Sequence, residues 1–353
     1  MIRVGVIGCG FQGRLHVEFL QLMNGVEVVA VCDIDKEKAM EVAGKFNVPH
    51  WFANYRMMLD DLDFDLVTVC TMPIHHAEMT IAALERGADV LCEKPLAMNA
   101  REGALMVEAA RRTGRKLAVG FNMRFTPNAR AIVEYIGRGK LGRPVYTRAW
   151  AKASQIPWWG EHYRREVSGG GALAATAVHF LDLALYFAGF PDPETVTASM
   201  AQIFPRKRGN TAPSSDAITR YTAEDIFSAH IRFHGGFWIS LEGSWVDNQP
   251  SVNGVASWDY SLDAVGESGQ VWFDPLVIRG ENELGEIIDE IQSGTESDVS
   301  FPPSVNALLV DVVSSIRDDR PPLVTGEQAL VVQKIVDGIY ESAQSGTEYL
   351  FKT

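Results

Sequence analysis

Six residues, Gly8-Cys9-Gly10-Phe11-Gln12-Gly13, join a run that reads as a strand (2–7) to one that reads as a helix (14–23, stopped by Asn24-Gly25). A G-x-G-x-x-G alone is a weak signal. Set between those elements, with a second strand at 26–32 and Asp33 about 20 residues past the third glycine, it restricts the chain to a parallel α/β fold bearing a dinucleotide site. The glycines let backbone N–H groups approach a pyrophosphate at the positive end of the helix, and Phe11 and Gln12 count with them as cofactor contacts. Asp33 is suited to accept hydrogen bonds from a ribose 2′-hydroxyl and to repel a 2′-phosphate, which predicts NAD rather than NADP. The plainer alternative is a tight turn followed by an acid that caps the next helix.

Strand-like and helix-like runs then alternate. Helical patterns at 35–46, 55–61, 75–86 and 100–113 separate strand patterns near Trp51 and at 66–71, 88–92 and 116–120, which predicts a parallel sheet with helices on both faces. Such sheets bind ligands at the carboxyl ends of their strands. One apolar run, Val90-Leu91-Cys92, stops abruptly at Glu93-Lys94-Pro95, which makes Lys94 a candidate catalytic ammonium. The backbone of Thr71-Met72-Pro73 flanks the same crevice, and His76 opens the next helix as a cap or a cofactor contact.

A chain of 353 residues with 46% hydrophobic content buries a large core and is long enough for two domains. No apolar run reaches the ~18 residues of a membrane span, and Met1-Ile2-Arg3 leads straight into the first strand rather than into a secretory signal. Both features point to a cytoplasmic protein with no membrane partner. The net charge of -13 argues against non-specific binding to nucleic acid. Cys9, Cys32, Cys70 and Cys92 lie at or near the ends of apolar runs without a C-x-x-C pair and read as buried free thiols, and no residue cluster has metal-ligand spacing.

Gly8, Gly10, Gly13, Asp33, the Thr71 to His76 turn, Glu93-Lys94-Pro95 and Gly120-Phe121-Asn122-Met123-Arg124-Phe125 together resemble the Gfo/Idh/MocA family of nicotinamide-dependent oxidoreductases. The resemblance runs over nearly the whole chain. It implies an N-terminal Rossmann domain, residues 1–122, and a C-terminal α/β domain, residues 123–353, with an open, largely antiparallel sheet whose exposed face joins two or four copies. It also implies sugar or cyclitol substrates and a Lys94 that touches substrate and cofactor. Glu93, Asn122 and Arg124 join the cofactor contacts, and Arg124 the substrate contacts too, unless it forms an interdomain salt bridge. Pro73 departs from the asparagine that many members carry and keeps only a backbone contact.

In the second domain Gly169-Gly170-Gly171 precedes an apolar helix. The glycines allow a close backbone approach, suited to packing on a flat nicotinamide. Ala175, His179, Asp182 and Tyr186 follow a four, three, four spacing and share one helix face. An isolated histidine there reads as a core residue, whereas the resemblance implies a catalytic His179. The family's aspartate one turn earlier is Ala175 here, which accepts no hydrogen bond and stays only as a substrate contact. His179 then acts with Lys94 alone, or Glu161 or Glu166 substitutes, or activity is weak, while Asp182 reads as structural. Trp158 and Trp159 are candidates for stacking on a sugar. A helix at 127–137, strands at 144–154 and 195–203, a solvated basic loop Pro205-Arg206-Lys207-Arg208-Gly209-Asn210, hairpins at 226–245 and 260–273, and closing helices at 304–317 and 326–343 packed on the sheet complete the domain. The implied chemistry is hydride transfer between NAD and a secondary hydroxyl, Lys94 holding the oxygen and His179 taking the proton. Two other readings stay open: a regulatory protein that senses NAD and sugar without turnover, and a lyase or hydrolase that uses bound NAD transiently.

Overall fold

The computed structural model describes residues 1–204, 213–247, 258–282, 284–292 and 301–352, so the basic run 205–210 lies outside the described residues. The chain divides into two compact units, Met1–Asn122 with Phe301–Gln333, and Met123–Ser300 with Lys334–Thr353.

The first unit alternates β1 (Ile2–Ile7), α1 (Phe11–Gln21), β2 (Val26–Cys32), α2 (Lys36–Phe46), β3 (His50–Phe52), α3 (Tyr55–Asp61), β4 (Leu66–Val69), α4 (His76–Glu85), β5 (Asp89–Cys92), α5 (Ala100–Thr113) and β6 (Leu117–Val119). All six strands are parallel, in the order β3-β2-β1-β4-β5-β6. β4, β5 and β6 are buried at every residue, as strands covered by helices on both faces must be. Local chemistry sets the helix ends: Asp35 caps α2, Asn54 caps α3, and Asn99 caps α5, which stops at Gly114 in the left-handed region. Strand order reverses between β1 and β4, so the carboxyl ends of those strands form the crevice where such sheets bind ligands.

The second unit holds α6 (Pro127–Gly137), β7 (Pro144–Ala153), α7 (Arg165–Ser168), α8 (Val178–Ala188), β8 (Pro193–Ala201), α9 (Ser215–Thr219), β9 (Ile226–Phe233), β10 (Trp238–Ser244), β11 (Trp258–Gly266), β12 (Gly269–Trp272), β13 (Val277–Glu281) and β14 (Ile287–Gln292). With β15 (Tyr349–Leu350) they form a nine-stranded sheet in the order β14-β13-β12-β11-β7-β10-β9-β8-β15. Among the described residues of this sheet, only β7 and β10 pair in parallel. β9 alternates strictly between exposed and buried residues, so one sheet face is covered and the other open. The hairpins at β9–β10 and β11–β12 follow the glycine turns read in the sequence. β13, β14 and β15 escaped that reading because acids interrupt β14 and β15 has two residues.

Two helices close the chain, α10 (Pro303–Arg317) and α11 (Gly326–Ser345). Residues 301–333, read from sequence as part of the second domain, belong to the first unit. α10 packs against α1 there; the apolar period of a helix shows that it is buried, not against what. The segment Arg165–Ala188 is long and apolar enough to cross a membrane by length and composition alone. Its most apolar window is 72% buried inside the fold, the mark of a core helix.

Candidate active site

In the first unit the cradle is built by close approach. Gly8 has φ 98°, and a Cβ there would lie 2.6 Å from the Cys70 carbonyl oxygen, while one at Gly13 would lie 1.8 Å from the Gly8 carbonyl oxygen. Only glycine lets the loop fold onto the end of β4. Gly10 differs: a Cβ there would meet no atom within 4 Å, so that side of the loop is open. Gly10 gives α1 no side-chain cap, and no acid stands in the first turn, which leaves the positive helix end to be answered by an anion. The Thr71 hydroxyl, at the end of β4, is buried with no hydrogen-bond partner among the described residues. Open backbone donors and an orphaned hydroxyl at the switch point fit the phosphate-bearing body of a dinucleotide. Asp33 accepts from the backbone N–H of Cys9 at 2.8 Å and of Asp35 at 2.9 Å, and so ties the loop to the end of β2. All four cysteines are free.

Glu93 turns inward. Its carboxylate accepts from Gln12 Nε2 at 3.0 Å and lies 3.2 Å from His16 Nε2. The Lys94 backbone N–H donates to its other oxygen at 3.3 Å. A Cβ at Gly120 would come within 2.7 Å of that carboxylate, so the buried acid requires glycine at 120. Several residues read as cofactor contacts also serve as supports. The Gln12 and Glu93 side chains engage each other, and Asn122 is buried and donates to Ser304 Oγ at 2.7 Å. His76 is also buried, its Nδ1 2.8 Å from the Pro95 carbonyl and its Nε2 3.0 Å from the Thr71 carbonyl, so it straps the β4 turn to the Glu-Lys-Pro turn. His16 was missed; the signal was a polar residue on the face of α1 that also buries Gly13, Val17 and Leu20. Its Nδ1 lies 3.2 Å from Cys70 Sγ.

Burial alone would raise the Glu93 carboxyl, but the His16 hydrogen bond and the charges of His16 and Lys94 outweigh it and hold it below the ordinary 4.5. For His16, burial lowers the imidazole, and its contacts with Cys70 and Glu93 outweigh that and raise it from 6.5 to about 10. The stability that Glu93 contributes is thus present above about 4.5 and lost as pH falls through its depressed value. That of His16 is complete below about 6.5 and lost as pH rises towards 10. Glu93→Gln should cost about 3 kcal/mol at neutral pH and progressively less at both pH extremes. Urea denaturation of both proteins across the pH range checks this; a difference that does not vary with pH contradicts it.

Lys94 itself is half-buried at the carboxyl end of β5. Burial lowers its ammonium pKa below the ordinary lysine value, against the opposing pull of Glu93.

In the second unit Gly169-Gly170-Gly171 leads into a π-helical turn, Ala172–Ala177, which passes directly into α8 with His179 as its second residue. Gly170 and Gly171, read as a close approach to nicotinamide, are required by the protein's own packing. A Cβ at Gly170 would lie 1.7 Å from the Tyr340 hydroxyl oxygen, and one at Gly171 1.9 Å from the Glu224 carbonyl oxygen. The π turn also breaks the expected spacing. Ala175 lies within it and is not a full α-helical turn below His179, whereas His179, Asp182 and Tyr186 do share a face of α8.

Arg124, read as a substrate and cofactor contact, is taken up within its own unit. It is 1% exposed and grips Asp182 through both oxygens, at 2.6 and 2.8 Å, between the rings of Tyr186 and Phe190 at 4.6 and 5.0 Å. Both members of this ion pair lie in the second unit, so it is not the interdomain bridge either. Trp158 packs among Tyr163, Phe204 and Tyr221, while Trp159 is 60% exposed. Glu161 pairs with Arg164 and Arg220, and Glu166 with Arg164 and Thr222. Among the described residues, no group of three or more His, Cys, Asp or Glu side chains forms a metal site.

A parallel sheet with a glycine cradle at its switch point, and a half-buried lysine at the end of β5, is the architecture of a dinucleotide-binding protein. Residues 2–121 match the model of the oxidoreductase family with an NAD-binding Rossmann fold, and residues 133–350 that of its C-terminal α/β domain. The chain belongs to the Gfo/Idh/MocA oxidoreductase family and is NAD-dependent. It is 31% identical over 351 residues to a D-glucoside 3-dehydrogenase of Escherichia coli, covering 98% of this chain and 96% of that one. It is 26% identical over 332 residues to a myo-inositol 2-dehydrogenase of Thermotoga maritima, covering 92% and 91%. A levoglucosan dehydrogenase solved with NADH and levoglucosan shares the fold over the full length of both chains, with a TM-score of 0.83 and 22% identity.

Proposed function

We propose that this protein oxidises a secondary hydroxyl of a sugar or cyclitol, or reduces the corresponding ketone. The observation that carries the reading is Lys94, an ammonium weakened by burial at a strand end and braced through Glu93 to the cofactor cradle. Relatives named for dehydrogenation of glucosides and of myo-inositol support the substrate class. When bound, NAD supplies the hydride acceptor, with the Gly8 to Gly13 loop, Asp33 and the Thr71-Met72-Pro73 backbone to hold it. Lys94 donates a hydrogen bond to the substrate oxygen and stabilises the negative charge that develops as its proton leaves. His179 accepts that proton. The open sheet face, where Trp238 stacks on Tyr146 at 4.7 Å, supports assembly into a homodimer or homotetramer, and we place the enzyme in the cytoplasm.

The test is a panel of D-glucose, methyl glucosides, levoglucosan and inositols, each with NAD and with NADP, followed by NADH absorbance. Net NADH release is expected with at least one member, at a rate about tenfold or more above that with NADP, because Asp33 repels a 2′-phosphate. Ala175 supports a second reading, a sensor that binds NAD and sugar without turnover. Binding of both with no NADH release would favour it and overturn the first.

A further inference from the structure

The helix that carries His179 does not cap itself. Gly171 precedes its first turn without a side-chain acceptor, and a residue from the start of the β9 segment takes the three leading N–H groups instead. Both Glu224 oxygens lie 2.9 Å from Gly171 N, Oε1 also accepts from Leu173 N at 3.0 Å, and the Glu224 carbonyl accepts from Ala172 N at 3.1 Å. The carboxylate is buried and receives the Tyr340 hydroxyl at 3.0 Å. A second anchor holds the far end of the turn, where Trp245 Nε1 donates to Thr176 Oγ1 at 2.9 Å.

Between these anchors lies the π turn, in which the Val178 N–H reaches back five residues to the Leu173 carbonyl. Such a turn carries one residue more than an α-helical turn, and so rotates everything after it by about 100°. π turns are rare and occur frequently at functional sites; this one is held by contacts from outside the helix. If it relaxed to α-helical spacing, His179 would point away from its present direction by about that angle.

We propose that Glu224 is a positioning residue for the reaction: by gripping the first three N–H groups it holds the π turn, and through the turn the aim of His179. The proposal rests on the reading of His179 as the proton acceptor. Glu224→Gln keeps the shape but sets an amide NH2 against backbone donors. With methyl glucoside or myo-inositol, whichever the wild type oxidises, this variant should lose about tenfold or more in kcat while its Kd for NADH, read by fluorescence, stays within about twofold. Tyr340→Phe, which removes one donor and keeps the packing, should lose about two- to threefold and secures the test if Glu224→Gln folds poorly. The double variant E224Q/H179A should turn over no more slowly than H179A alone, because a group acting through another adds nothing once that other is gone. Without any substrate, the His179 imidazole pKa followed by proton NMR should move by about half a unit or more in Glu224→Gln.

A folded Glu224→Gln with wild-type kcat and an unmoved His179 titration overturns the proposal, as does a loss in E224Q/H179A that adds fully to the loss in H179A. If H179A itself turns over like wild type, the reading of His179 falls first, and this inference with it.

Discussion

Lys94→Ala is expected to lower kcat roughly 100- to 1,000-fold while NADH binding stays within about twofold of wild type. The expectation comes from where the ammonium stands. It is half-buried, and burial weakens its hold on the proton, so in a water-poor site its charge acts on a developing alkoxide far more strongly than an exposed lysine would. The cradle contacts come from other residues, and the groups that brace it, Glu93, Gln12 and His16, keep their partners when the side chain at 94 is cut. Lys94→Arg should also be slow, because a planar fork does not replace a compact ammonium. The depressed pKa carries a sign: a reaction that needs the ammonium loses rate on the alkaline side at a lower pH than an ordinary lysine would impose. Steady-state kinetics with NADH fluorescence titration decide the matter. Equal losses of turnover and NADH binding, with a lowered Tm, would make Lys94 a structural partner of Glu93.

Breaking the Arg124–Asp182 pair should produce the largest stability loss in the second unit. Arg124→Ala or Asp182→Ala each leaves an uncompensated charge at a site where both side chains have no exposure, at a cost of about 3–5 kcal/mol. The bidentate grip and the Tyr186 and Phe190 rings leave little room for water to replace the lost partner. Replacing both, Arg124→Met with Asp182→Leu, should recover most of the loss, since an apolar pair of similar size avoids the desolvation of two ions. Urea denaturation of the three variants reads this directly. A single variant losing less than about 1 kcal/mol would mean that relaxation or solvent satisfies the remaining charge.

What was legible from the sequence had local causes. The strand–glycine loop–helix unit, the alternation through β6, the Lys94 strand end and the two hairpins each rest on the period of apolar residues or on turn chemistry within a dozen residues. Contacts across long separations were not legible. Nothing near Arg124 announces Asp182, 58 residues on, and nothing near Gly171 announces Glu224, 53 residues on.

The residue pattern by itself therefore determined the parallel α/β class, the NAD cradle and the identity of the candidate groups, because backbone conformation and amphipathic period are properties of neighbours in the chain. Only the tertiary structure decided which of those groups serve one another inside the protein. Glu93, Gln12, His76, Asn122 and Arg124, read as ligand contacts, each hold a partner inside the protein, since a polar side chain is committed by whatever partner folding brings to it, and that partner is seldom close in sequence.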